Sequence, residues 1–344
     1  MARQVKTWRC HCPVWLGQRS IKSGDGKEVP HTLRKKKEPS DCIVKKQRLS
    51  SQLDLHLLML PAMLVILVFS YFPMYGILLA FKDFNPRVGI FGSDWIGFEN
   101  FEKLFSDPFL PRSLFNSIGM SLFRIFLLFP VPIFLALMFN EIRLSKVKRV
   151  YQTISYFPYF ISWAVVCTMV QMWLSPSQGW VNPLLQSMGL INQPITFLSE
   201  SNWFWTITLV LEFWKNTGFS TIIFLAAISG VDQEQYEAAT IDGASRIKKM
   251  RYITWPAIAG TVSLLFILQV PGIIGGNFDV SYLLGNASNA EGSDILQTLI
   301  YRKGMQEMDF GYATAASLLT SIISMLLLFL GNRVVKVITK RSLF

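Results

Sequence analysis

"YEAATIDGASRIKKMRYITWP", Tyr236–Pro256, is polar and charged, yet long apolar runs lie on both sides of it. Asp232 can cap a short helix through Gln233, Glu234 and Tyr236 to Ile241, and acidic residues at its start suit the helix dipole. Gly243 supplies a residue that tolerates a left-handed turn. A second helix follows, with Ile247, Met250 and Ile253 at three-residue spacing and Arg246, Lys248, Lys249 and Arg251 on its other faces. Pro256 suits the first turn of the next apolar helix, where its missing donor costs nothing. Ala238 and Ala239 are small enough to let another surface approach closely. The stretch therefore reads as a short docking helix with a hinge, joined to the apolar helix after it. On the residues alone, a plain loop resting on its own domain fits as well.

The flanking runs set the class of protein. The 344 residues are 51% hydrophobic and 16% charged, with 27 Phe and 10 Trp. Soluble domains carry about 25% charged residues, so the composition points to a membrane protein. The four cysteines, Cys10, Cys12, Cys42 and Cys167, are too scattered for a disulfide framework. The net charge of +11 is concentrated in residues 1–54, which hold 13 Lys/Arg against 5 Asp/Glu. That tail is expected to be a basic, disordered cytoplasmic extension near anionic lipid. No nucleic-acid-reading module follows it. No small-residue cleavage site follows the first apolar run, which reads as a retained span.

A helix needs about 20 apolar residues to cross the hydrocarbon core. Six segments qualify: 55–81, 114–140, 154–174, 203–229, 256–274 and 312–330. The connections alternate between basic-rich (141–153, 230–255 and the tail after Gly331) and basic-poor (175–202 and 275–311). The positive-inside rule then places both termini, and Tyr236–Pro256, in the cytoplasm. The expected fold is an all-α membrane protein with six transmembrane helices, both termini cytoplasmic, and a cytoplasmic helix between spans four and five. The spanning domain covers residues 55–344.

Ionisable side chains inside spans are costly and face a cavity or a partner. Arg124 lies near the middle of span two, and Glu212 and Lys215 near the middle of span four, where their spacing puts them on one face. They line a wet path, or they form a buried ion-pair network that orients the helices. Trp205, Phe213 and Trp214 are candidates for stacking on a ring-shaped ligand, or for packing. Span five carries "VPGIIGGNFD", in which Pro271, Gly272, Gly275 and Gly276 weaken the helix just before Asn277 and Asp279. Irregular backbone at membrane depth survives beside protein or water; the simpler reading is that the helix ends there. Arg124, Glu212, Trp214, Lys215 and Asn277 make up the candidate translocation path.

No G-x-x-x-x-G-K-[ST] loop is present; "SGDGKEV", Ser23–Val29, lacks the first glycine and has Glu28 in place of Ser or Thr. No nucleophile, zinc or paired-carboxylate pattern stands out, and Cys10–Cys12 has no second ligand pair. The chain is therefore not expected to be an enzyme, or to hold a metal or a cofactor.

"EAATIDGASRIKKMRYITWP" resembles the EAA signature of the membrane subunits of binding-protein-dependent ABC importers. Glu237, Ala238, Ala239, Gly243, Ile253 and Pro256 fall in register, and Trp255 stands where that family has Leu. The resemblance extends over residues 55–344 through "FPMYGILLAFKDFNP", "WIGFENFEKLF", "YFPYFISW", "FLAAISGVDQEQYEAATIDGA" and "GNRVVKVITKRSLF". These are similar to the carbohydrate-uptake branch, and within it to permeases for oligosaccharides cut from polysaccharides. The resemblance implies an ATPase-docking loop of Glu237, Ala238, Ala239, Asp242, Gly243, Ile253 and Pro256. It also implies a homologous second permease, two cytoplasmic ATPase subunits that bind the ATP and magnesium, and an extracytoplasmic solute-binding protein. The implied place is a bacterial cell membrane, in contact with lipid, and the implied cargo a carbohydrate. The alternative is a secondary transporter driven by an ion gradient, which calls for internal repeats and coupled intramembrane acids. No repeat is visible, and Glu212 is the one acid well inside a span.

Overall fold

The computed structural model describes residues 53–142 and 144–339, with side chains over 56–142 and 144–337. The basic tail expected over residues 1–54 falls outside these except for its last two positions. The chain divides into two units, Met1–Met63 and Leu64–Phe344, and every contact described below lies within the second.

The described chain is mostly helical, with one two-residue antiparallel ladder, Lys82–Asp83 against Asp94–Trp95. Among the described residues, four helices are long and apolar enough to cross a membrane: α1 (His56–Phe81), α2 (Leu110–Asn140), α7 (Arg246–Ile273) and α10 (Phe310–Val337). A fifth crossing is possible in α3 (Ser145–Phe160) and α4 (Trp163–Trp173), which meet at 91°. Helix α5 (Ser201–Ser229) has 29 residues, ample for a crossing by length. It is less apolar than the others because Glu212, Lys215 and Asn216 sit at its centre. Shorter helices connect these: α6 (Gln233–Ile241), α8 (Phe278–Leu284) and α9 (Leu296–Tyr301).

Prolines shape the long helices. Helix α2 widens into a π turn at Arg124–Leu128, where the Phe129 amide donates to the Arg124 carbonyl, just ahead of Pro130. Helix α7 does the same at Met250–Thr254, ahead of Pro256. A proline lacks the amide that would bond four residues back, and the widened turn accommodates that loss without stopping the helix. Pro256 thus stands in the first turn of the α segment Trp255–Gln269, as its sequence context suggests, but the helix itself begins at Arg246. The second half of the polar stretch, from Arg246 on, and the apolar helix after it are one continuous rod.

Three apolar clusters hold the second unit together. Met120, Val166, Cys167, Phe204, Val280 and Ile295 form one, on the N-terminal halves of α2 and α5 with α4, α8 and α9. Leu104, Leu110, Leu296, Leu299 and Tyr312 form another beside it. Ile133, Phe139, Phe224, Ile228 and Ile258 form the third, on the C-terminal halves of α2 and α5 against α7. Between the first and third clusters, along both α2 and α5, lie Arg124 and Glu212. Asn100, 2% exposed, donates to the carbonyls of Ala80 and Lys82, both at 3.1 Å, and so ends α1.

Candidate functional site

The polar stretch is built as the residues suggest. The Asp232 carboxylate accepts from the Glu234 amide at 3.0 Å and caps α6. Gly243 has φ +71°, and the Ala244 amide donates to the Ala239 carbonyl at 2.9 Å, closing the helix with a left-handed turn. Ser245 caps α7 by accepting from the Lys248 amide. No residue of α6 is buried: Glu237, Ala238 and Asp242 are exposed, and Ala239 is half-buried. Ile241 is 88% exposed.

Although exposed, α6 is not loose. The Tyr236 and Thr254 hydroxyls are hydrogen-bonded at 2.8 Å, and Thr254 is buried in the π turn of α7. Lys249 Nζ donates to Thr240 Oγ1 at 2.6 Å from the other side of the turn. Arg246 reaches Glu141 at the end of α2, at 3.9 Å and with both side chains exposed, a contact of small energetic weight. Ile253 is half-buried and Pro256 exposed. Force applied to α6 would therefore pass through the Gly243 turn and Tyr236 into α7.

The ionisable residues at the centres of α2 and α5 divide between two places. Glu212, 3% exposed, accepts from Arg124 Nε at 2.8 Å and Nη2 at 2.9 Å, a bidentate pair, and from Asn277 Nδ2 at 2.6 Å. This joins α2, α5 and the broken end of α7. Lys215 points elsewhere: its ammonium donates to the carbonyls of Tyr159 at 2.7 Å and Ile161 at 2.5 Å, at the bend between α3 and α4. It also sits 5.3 Å from the ring centres of Tyr159 and Trp163. Glu212 and Lys215 share a helix face but serve different junctions.

A cavity of about 390 Å³ opens at the Arg124–Glu212 pair, lined further by Tyr159, Asn216, Ser220 and Gln269. The Arg124 side chain is 27% exposed there, whereas Glu212 is covered. Trp214 is not part of this cavity; it borders a separate apolar pocket of about 690 Å³ with Trp173, Trp180 and Trp203. Trp205 packs on Phe115 and Phe123 and donates to the Gly292 carbonyl at 3.0 Å, and a Cβ at Gly119 would strike its ring. Phe213 is exposed. The last turn of α7, Val270–Ile273, narrows to a 3-10 turn; beyond it Gly276 has φ +69°, and Asn277 caps α8 by accepting from the Val280 amide. Asp279 is exposed in the first turn of α8.

Sequence reasoning missed Asn216, Ser220 and Gln269. The first two stand four and eight residues after Glu212, so a polar i, i+4, i+8 stripe marked their face. It also missed Tyr159 and Phe219, whose rings stack at 3.9 Å beside the cavity, a pairing between separate helices that no spacing reveals.

Comparison with known proteins fits this arrangement. Residues 109–343 match the family described as the binding-protein-dependent transport system inner membrane component. Protein LplB of Bacillus subtilis (strain 168) is 39% identical over 290 residues, covering 84% of this chain and 91% of that protein. The polygalacturonan/rhamnogalacturonan transport system permease protein YteP of the same organism is 38% identical, covering 84% and 89%. A crystal structure of a bacterial ABC transporter involved in the import of the acidic polysaccharide alginate contains a chain that superposes with a TM-score of 0.77 at 34% identity, covering 85% of this chain and 98% of that one. A second structure shows the alginate transporter with an alginate pentasaccharide-bound periplasmic protein; it superposes with a TM-score of 0.77 at 33% identity, covering 86% and 98%. A family match over more than half the chain, with relatives of this identity and coverage, places the protein in a membrane: it belongs to the binding-protein-dependent transport system inner membrane components.

Proposed function

We propose that this chain is one permease subunit of an ABC importer that carries an oligosaccharide into the cytoplasm. One observation carries the reading. Helix α6 buries none of its residues, yet it is joined through the Gly243 turn and the Tyr236–Thr254 hydrogen bond to the 28-residue rod α7. That is what a coupling element between a soluble motor and a membrane helix requires. In this reading Glu237 fixes the docking helix, Ala238 and Ala239 permit close contact with a cytoplasmic ATPase, and Asp242 and Gly243 form the turn.

The finer topology follows the charge pattern: six spans, with α3–α4 and α5 as the third and fourth, both termini cytoplasmic, and the connections around residues 82–109, 175–200 and 275–309 outside. ATP and magnesium belong to two partner ATPase subunits, a homologous permease completes the pathway, and a solute-binding protein delivers cargo from outside. An oligosaccharide cargo is supported by the polysaccharide-fragment transporters among the relatives. The Arg124–Glu212 cavity, with its amide and hydroxyl lining, is the candidate passage. An ion-driven carrier would need an intramembrane acid free to exchange protons, and Glu212 is instead engaged by Arg124 and Asn277.

The test is co-purification from membranes of the tagged chain, expressed beside its genomic neighbours, as wild type and as Gly243→Asp. The wild type should bring down an ATPase whose hydrolysis rises when the solute-binding protein is added, and the variant should lose contact or coupling. A wild type without an ATPase, or a variant indistinguishable from it, would remove the basis for the reading.

A further inference from the structure

A polar cavity of about 490 Å³ lies where the polar stretch meets the ends of the long helices. Its volume is within the ~300–1,000 Å³ range of small-ligand sites. Glu141 just past α2, Lys148 on α3, Ser229 at the end of α5, Tyr236 on α6, and Arg246 and Lys249 on α7 line it. The cavity lies behind α6. Tyr236 and Thr240 turn toward α7 through their hydrogen bonds with Thr254 and Lys249. Glu234, Ala238 and Ile241, on the opposite face of α6, are exposed. The cavity and the docking face are therefore two sides of one helix.

Three cations meet one carboxylate here. Lys148 is half-buried, yet its ammonium is open to solvent and has no hydrogen-bond or ion-pair partner among the described residues. The Arg246 side chain is 62% exposed and meets Glu141 only at 3.9 Å, a loose contact. Lys249 donates to Thr240 Oγ1, a neutral acceptor that leaves its charge in place. Glu141 and the carbonyl ends of α2 and α5, each end carrying about half a negative charge, still leave the cavity with a positive surplus. An apolar stripe runs from the cavity along α3. Val147, Val150, Tyr151 and Ile154 are 38%, 56%, 55% and 66% exposed and follow one another at helical spacing.

We infer that this cavity holds the headgroup of an anionic phospholipid of the inner leaflet. Its phosphate lies between Lys148 and Arg246, and one acyl chain follows Val150 and Ile154 along α3. Basic pockets between membrane helices on the cytoplasmic side suit anionic headgroups. A soluble phosphate would satisfy the cations but would have no use for the apolar stripe. The lipid ties α3 to the base of α7, beside the turn that joins α7 to α6. The inference rests on the function proposed above, which puts these helix ends on the cytoplasmic side.

The test uses the assembled importer in phosphatidylcholine vesicles, with fluorescent dansylalanine incorporated at Ile154, about 9 Å along α3 from Lys148. Quenching by phosphatidylglycerol brominated in mid-chain is compared with quenching by equally brominated phosphatidylcholine. The ratio of the two gives the preference for the anionic lipid. Lys148→Gln and Arg246→Gln should each lower that preference about fivefold, the equivalent of about 1 kcal/mol for each basic residue at a membrane surface. Glu141→Gln should raise it. Lys146→Gln, exposed on the same helix but outside the cavity, should leave it unchanged. Lys148→Arg should retain it, which separates loss of charge from damage to the fold. Equal quenching by the two lipids in the wild type overturns the inference. So does a loss in Lys146→Gln as large as in Lys148→Gln, by leaving only diffuse surface charge. Displacement of the brominated phosphatidylglycerol by soluble glycerol phosphate also overturns it, by giving the cavity to a free phosphate. The ATPase recovered in the same vesicles reads the importer separately. Lipid preference without an ATPase keeps this site while the importer reading falls, and an ATPase without lipid preference does the reverse.

Discussion

Removing either member of the Arg124–Glu212 pair should have unequal consequences. Glu212 keeps 4% of its side chain exposed and Arg124 27%. In Arg124→Ala the carboxylate stays buried with Asn277 as its remaining partner, and breaking a buried pair in this way costs about 3–5 kcal/mol. In Glu212→Gln the guanidinium is left facing the cavity, where water can reach it, and the amide can still accept from Arg124 or Asn277. Its cost should fall to about 1.5–3 kcal/mol, the range for a lost charged hydrogen bond. Replacing both residues with Met removes the desolvated charges together, and similar replacements of buried ion pairs are neutral or stabilising. The assay is reversible unfolding in mixed micelles of the two single variants and of Arg124→Met/Glu212→Met, with the single Met variants closing a double-mutant cycle. The expected order of loss is Arg124→Ala, then Glu212→Gln, then the double variant. Additivity of the Met variants within about 0.5 kcal/mol would mean that the pair is not coupled. A greater loss for Glu212→Gln than for Arg124→Ala would refute the reasoning from burial.

Other substitutions probe the packing and the linkage. Gly218→Ala should damage assembly, because a Cβ there would land on the Ser155 carbonyl oxygen where α3 crosses α5. Gly272→Ala, with nothing within 4 Å, should change stability by less than about 1 kcal/mol. Detergent-thermostability of the two variants makes the comparison. Lys215→Met strips the donor from the Tyr159 and Ile161 carbonyls and should cost about 1.5–3 kcal/mol. Its bend should loosen, seen as faster thiol labelling of a cysteine placed at Ser162. Tyr236→Phe removes one hydrogen bond, about 0.5–1.5 kcal/mol. It should leave ATPase binding intact while lowering the transport obtained per ATP hydrolysed.

Local chemistry was legible before any coordinates. Asp232 and Gly243 occupy cap and turn positions because few residues can, and apolar runs mark α1, α2, α7 and α10 because lipid imposes their length. What failed to show was set by contacts between distant segments. The spacing of Glu212 and Lys215 suggested a shared environment, but Arg124 and the α3–α4 bend, supplied by other helices, separate them. The π turns at Arg124 and Met250 follow from prolines a few residues later, yet a proline in a sequence gives no sign whether its helix will widen, kink or stop. Trp214 resembles any aromatic that could stack on a sugar, and only its neighbours place it in an apolar pocket apart from the cavity.

The central claim is that α6 meets the ATPase and drives α7. The most direct measurement places a photoreactive benzoylphenylalanine at Ile241, 88% exposed on α6, and at Phe91, 83% exposed in the segment assigned to the outer side. Each is irradiated in membranes containing the whole importer. The account predicts an ATPase adduct at position 241 whose yield changes with bound nucleotide, and none at position 91. An ATPase adduct at position 91, or its absence at 241 in a complex that still hydrolyses ATP, would contradict it.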